Sequence, residues 1–197
     1  MKPKKILKIL KEGNERFVKN LSLNRDLLKE AKDTSESQSP IAVVLSCLDS
    51  RSSAEVIFDQ GIGDVFSARV AGNVINDDIL GSMEFACYLS TAKVIVVLGH
   101  SKCGAVGGAC DGAELGHLTG LLEKIKPAVD AVKKPKDPEE RNSDNLEFLS
   151  KVTKENVKII IENIRKSSEI LSKMEKDGDI IIIGGVHNLE DGTIKYQ

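Results

Sequence analysis

Four apolar runs mark out the chain: "IAVVLS" (residues 41–46), "DVFSAR" (64–69), "KVIVVLGH" (93–100) and "DIIIIGG" (179–185). They are rich in β-branched residues and nearly continuous in apolar character. That pattern predicts strands buried on both faces, hence parallel strands covered by helices. Helical stretches are predicted at about 52–59, 76–90, 104–133 and 143–176. Alternating β and α segments predict an α/β domain with right-handed crossovers. A short run, "GTIKY", follows "NLEDG" and reads as an added edge strand after a turn. The fold class is therefore α/β: a mostly parallel four-stranded sheet with an edge strand, flanked by helices. Ahead of it, Ile6, Ile9, Leu10, Phe17 and Val18 fall near helical spacing and predict an amphipathic helix over 3–20. A short second helix and the polar loop "DTSESQSP" complete an amino-terminal helical arm, residues 1–40, before the α/β domain, 41–197. The polar "VKKPKDPEE" stretch (132–140) divides helices rather than domains.

Composition narrows the partners. A chain of 197 residues is long enough for one domain with a real core. The net charge of −2 gives no electrostatic case for nucleic acid. Aromatics at 4% and the absence of Trp argue against a base-stacking surface. The first 20 residues hold seven Lys or Arg against two Glu, read here as the solvated face of a packed helix rather than a membrane surface. No apolar run reaches the roughly 18 residues that a membrane span needs. The basic start is broken by Lys8 and Lys11, and no small-residue cleavage site follows, so no export signal is expected. Cys47, Cys87, Cys103 and Cys110 follow no disulfide framework, which points to the reducing cytoplasm.

In parallel sheets, chemistry gathers at the carboxyl ends of the strands. Three segments stand there: "CLDSR", "RVAGN" and "GHSKCGA". His100 and Cys103 lie three apart, at a turn between a strand and a glycine-rich helix start. Cys47, at the end of a neighbouring strand, can reach the same point. Two thiolates and an imidazole suit Zn²⁺. Three protein ligands leave the fourth tetrahedral position open, as catalytic zinc requires. Arg51, two residues beyond Asp49, permits a bidentate clamp that keeps the carboxylate ionised and oriented. Such a carboxylate can accept a hydrogen bond from the metal's water, or take the fourth position itself.

"CLDSR", "RVAGN" and "HSKCG", in this order and spacing, resemble the β-class carbonic anhydrases, over about Gln38 to Gly120. The resemblance implies Zn²⁺ on Cys47, His100 and Cys103, an Asp49–Arg51 catalytic dyad, and hydration of CO2 to bicarbonate by zinc-bound hydroxide. It implies a homodimer or homotetramer, with the arm extending over the partner subunit. Gln38 matches a glutamine that reaches the substrate across the dimer interface. Phe66, Phe85 and Ala71 match pocket-lining positions, and Gly104 matches the helix start beside the metal. Two positions depart from the pattern. Ser52 stands where valine is common, and His187 stands where some members carry a tyrosine of an inhibitory bicarbonate site. With no Trp either, that inhibitory site is not expected here. The same ligand set would also serve hydrolysis of carbonyl sulfide or carbon disulfide, or a non-catalytic zinc-stabilised binding domain. A thiol enzyme with Cys47 as nucleophile is disfavoured: the phosphatase pattern wants an arginine at position 53, which is Ser53, and no C-x-x-C pair exists.

Overall fold

A computed structural model describes all 197 residues. Five strands form one sheet in the order β2-β1-β3-β4-β5. They are β1 (Ala42–Ser46), β2 (Val65–Arg69), β3 (Val94–His100), β4 (Ile181–His187) and β5 (Ile194–Tyr196). The first four are parallel, and β5, in the place of the expected edge strand, runs antiparallel to β4. From β1 the chain goes to β2 on one side and then to β3 on the other. The crevice beyond the carboxyl ends of β1 and β3 is therefore the switch point where open α/β sheets hold their ligands.

Alternate side chains of the buried strands feed two cores. Val43, Leu45, Ile95, Val97 and Ile182 enter the larger one, under α4 (Asp77–Glu84), α5 (Gly104–Cys110), α7 (Lys126–Ala131), α8 (Leu146–Ser167) and α9 (Glu169–Lys176). Ala42, Val44, Val94, Val96 and Leu98 enter the smaller one, under α1 (Pro3–Val18) and α3 (Ala54–Ile57). Ile6 and Leu10 of α1 are buried there, so the arm's first helix lays its apolar stripe on its own chain's sheet. Asn14 fastens it: its Nδ2 donates to the carbonyls of Ile57 (3.2 Å) and Gly192 (2.9 Å), and its Oδ1 accepts from the Ile194 N–H (3.2 Å). The second helix of the arm, α2 (Leu27–Asp33), buries no residue.

The helical predictions need correction in three places. The stretch 104–133 is three helices, α5, α6 (Gly116–Glu123) and α7, because Gly112 and Gly116 take positive φ (64° and 43°) and break the run. The stretch 143–176 breaks at Ser168, whose hydroxyl accepts from the Leu171 N–H and caps α9. After α4, residues Phe85–Leu89 form a π-helical turn that leaves Phe85, Tyr88 and Leu89 exposed. No helix is long and apolar enough to cross a membrane.

Candidate metal centre

The switch-point crevice gathers the predicted ligands. Cys47 follows β1, His100 ends β3, and Cys103 precedes α5. All three are buried, and their donor atoms lie within 4.8 Å of one another. The two Sγ atoms are 3.9 Å apart. Two sulfurs about 2.3 Å from a tetrahedral zinc would stand roughly 3.8 Å apart, so the spacing fits the metal. His100 supplies a second test. Its Nδ1 faces the carbonyl oxygen of Ser101 at 2.9 Å, and a carbonyl only accepts, so Nδ1 carries the proton. Nε2 is left with a lone pair, buried and without a partner. A buried, unpartnered nitrogen beside two thiols fits a metal-ligand position.

Cys47 is pushed down, chiefly by the hydrogen bond from Cys103, against the opposing effect of burial, with further help from His100 and the backbone of Asp49 and Gly72. Cys103 is pushed up, by its bond to Cys47 and by burial. The Gly72 N–H stands 3.4 Å from the Cys47 sulfur. Gly72 has φ +65°, and a Cβ there would meet Ile125 Cδ1 at 2.5 Å, so glycine is the residue that brings this amide to the sulfur without backbone strain or a shift of Ile125.

Asp49 and Arg51 form the predicted clamp. Arg51 Nε donates to Asp49 Oδ1 (2.9 Å) and its second guanidinium nitrogen to Oδ2 (2.7 Å), while the Arg51 backbone N–H also donates to Oδ1 (2.9 Å). The guanidinium holds the Asp49 carboxyl well below the usual carboxylate range. Asp49 Oδ2 stands 3.9 Å from His100 Nε2, so the carboxylate borders the ligand cluster while paired with Arg51.

The other predicted residues divide. Ala71 opens the turn that carries Gly72, and Gly104 opens α5 directly after Cys103. Phe66 and Phe85 meet edge to face, with ring centroids 6.2 Å apart. They line a cleft of about 690 Å³ with Val43, Ala68 and Ile79, and no metal-ligand residue lines it. Gln38 is exposed in the loop before β1 and makes no side-chain hydrogen bond in the single chain. Sequence reasoning assigned no role to Arg69. Its Nε donates to the Cys47 carbonyl (3.1 Å) and its terminal nitrogen to the Asp49 carbonyl (2.5 Å), fixing the backbone that carries ligand and dyad. Its place in the strand-end "RVAGN" was the available signal.

Fold and site together define an α/β protein with a Cys/His/Cys group able to bind a metal at a sheet switch point. The sequence model of the family described as carbonic anhydrase matches residues 42–194. The chain is 35% identical over 191 residues to carbonic anhydrase 2 of Mycobacterium tuberculosis, covering 94% of this chain and 88% of that protein. It is 32% identical over 196 residues to the carbonic anhydrase of Mycolicibacterium smegmatis, covering 96% and 91%. Among solved structures, the Coccomyxa β-carbonic anhydrase in complex with acetazolamide matches with a TM-score of 0.72 at 22% identity, covering 94% of this chain and 83% of that one. Two tetrameric β-carbonic anhydrases from Sordaria macrospora are described for a further match, with a TM-score of 0.70 at 23% identity and 84% of each chain covered. The chain belongs to the β-class carbonic anhydrase family, whose members are lyases.

Proposed function

We propose that this protein catalyses the reversible hydration of CO2 to bicarbonate and a proton at a zinc ion held by Cys47, His100 and Cys103. The observation that carries the reading is the convergence of these three buried donors beside an Asp49–Arg51 clamp, with His100 Nε2 unpartnered. Zinc, when bound, supplies Lewis-acid activation of water near neutral pH. The chain's own residues do the rest. Asp49, kept ionised by Arg51, accepts a hydrogen bond from the reacting water and orients it. Both its oxygens are engaged by Arg51, so the guanidinium competes for the carboxylate with any cation that the donors would hold. Phe66 and Phe85 give an apolar wall suited to a gas without charge, Ala71 and Gly104 keep the walls by the metal small, and Gln38 polarises a substrate oxygen.

Gln38 serves the site of a second copy in this reading. The outer edge of β2 has no neighbour in the sheet, Phe85 meets Phe66 of that strand, and Phe85, Tyr88 and Leu89 are exposed at 52%, 65% and 73%. An open edge strand with apolar neighbours favours pairing with another chain. Leu21, Leu23, Leu27 and Leu28 of the arm (residues 1–40) are likewise exposed, at 54% or more, and would cover the partner subunit. A homodimer, or a tetramer of such dimers, buries both surfaces. The two thiols in the ligand set suit the reducing cytoplasm.

The test is CO2 hydration by the zinc-loaded protein beside two variants. Cys47→Ser should lose zinc and activity together. Asp49→Asn should keep zinc stoichiometry and lose hydration by about 10²-fold or more, the scale of a lost acid–base or orienting group. Equal zinc content in Cys47→Ser and the parent contradicts the ligand assignment. No hydration above buffer by the parent, at neutral or alkaline pH, contradicts the reaction. Competition with carbonyl sulfide or carbon disulfide shows whether a sulfur analogue is preferred.

A further inference from the structure

Ser101 lies between two of the ligands, and every polar atom it owns is committed. Its carbonyl accepts from His100 Nδ1 at 2.9 Å. Its N–H donates to the His187 carbonyl at 2.8 Å, extending the β3–β4 ladder by one rung. Its hydroxyl accepts from the Leu189 N–H at 3.0 Å and points its own proton toward Asn188 Oδ1, 3.4 Å away. Those partners lie 87 and 88 residues along the chain, so these are tertiary links rather than local turn contacts. The turn they reach is braced on its own account. The Asn188 N–H donates to the Thr193 carbonyl (2.8 Å), and Asn188 Oδ1 accepts from the Glu190 N–H (3.1 Å). Next to Ser101, Lys102 sits at φ +55°, in the left-handed region that a long side chain disfavours, and its Nζ pairs with Glu190 Oε1 at 2.7 Å. That unfavourable turn swings the chain from His100 back to Cys103.

We propose that Ser101 is a positioning residue of the metal centre. Its hydroxyl ties the His100–Cys103 loop to the turn between β4 and β5. The tie fixes the Ser101 carbonyl against His100 Nδ1, and so fixes the ring that presents Nε2. It also holds the left-handed Lys102 in place, so that Cys103 meets the same point. The proposal rests on the reading that Cys47, His100 and Cys103 bind zinc. Groups that orient a ligand from behind typically change metal affinity or activity by about 10–100-fold when removed.

The experiment uses the zinc-loaded full chain and measures zinc release to an excess of a chromogenic chelator. Ser101→Ala should release zinc at least about tenfold faster than the parent. Ser101→Thr keeps the hydroxyl and should restore most of the difference. In cobalt-substituted protein, the visible ligand-field bands of Ser101→Ala should shift, because the imidazole is no longer held in one orientation. A variant that were merely less stable elsewhere would not move those bands. If Ser101→Ala does not fold, Asn188→Ala combined with Glu190→Ala loosens the same link from the exposed side and should also speed release. Unchanged release from folded Ser101→Ala, or from the double variant where that fails to fold, overturns the positioning role. A parent protein that takes up no zinc overturns the ligand reading instead.

Discussion

At the scale of single residues, the convergence of the candidate donors was legible because their chemistry lies in side chains placed at strand ends. Cys47, His100, Cys103, Asp49 and Arg51 meet through side-chain atoms that only those residue types carry. Arg69, Gly72 and Ser101 were not legible, because they act on or through backbone amides and carbonyls that every residue owns. His187 is the other residue whose meaning needed the fold. It is buried, with Nε2 unpartnered and Nδ1 3.5 Å from Ser52 Oγ, so the two departures from the family pattern stand face to face. Burial, then the neighbouring His100, pushes His187 down to about 4, with Asp191 and Asp49 opposing. In the unfolded chain it titrates near 6.5. Between those values the unfolded state binds the extra proton, so stability is full above about 6.5 and is lost as pH falls toward 4. By pH 5 the loss amounts to about 2 kcal/mol. Urea unfolding of the zinc-loaded parent and His187→Gln at pH 7 and pH 5 checks this. The variant should lose less stability by about that amount, and equal losses would refute the assignment.

At the scale of elements, strand positions came through because parallel strands buried on both faces must be apolar nearly throughout. Helix boundaries came through poorly. Amphipathic periodicity continues across Gly112, Gly116 and Ser168, while the backbone does not. The packing of α1 was legible only as an apolar stripe, and the structure supplies what the stripe meets. Gly13 is where α1 crosses the end of α3. A Cβ there would stand 1.8 Å from the Phe58 carbonyl oxygen, a backbone atom that cannot step aside. Gly13→Ala should therefore destabilise the protein by about 1–3 kcal/mol, as overpacking does, despite the roughly 1 kcal/mol that alanine gains over glycine in a helix. Thermal or urea unfolding decides it. A stabilised variant would mean that α1 does not rest on its own chain at this point.

At the scale of the whole molecule, the single chain gathers the candidate metal donors but not the candidate pocket residues. The candidate donors and the Asp49–Arg51 pair converge within one chain, whereas Phe66 and Phe85 line a cleft that none of them borders, and exposed Gln38 makes no side-chain hydrogen bond. Sequence could name these pocket residues by resemblance. It could not place them, because in the proposed dimer their neighbours come from the second copy. If Gln38 serves the second copy, two different defects should complement each other. Gln38→Ala leaves the ligands intact and damages the partner's substrate site. Cys47→Ser removes a ligand and leaves Gln38 intact. After dissociation and reassembly of the two variants together, each mixed pair holds one complete site: zinc from the Gln38→Ala subunit, and Gln38 from the Cys47→Ser subunit. Hydration per bound zinc should then exceed that of Gln38→Ala alone. A mixed preparation with the same activity per zinc as Gln38→Ala would place Gln38 with its own subunit, or outside the reaction.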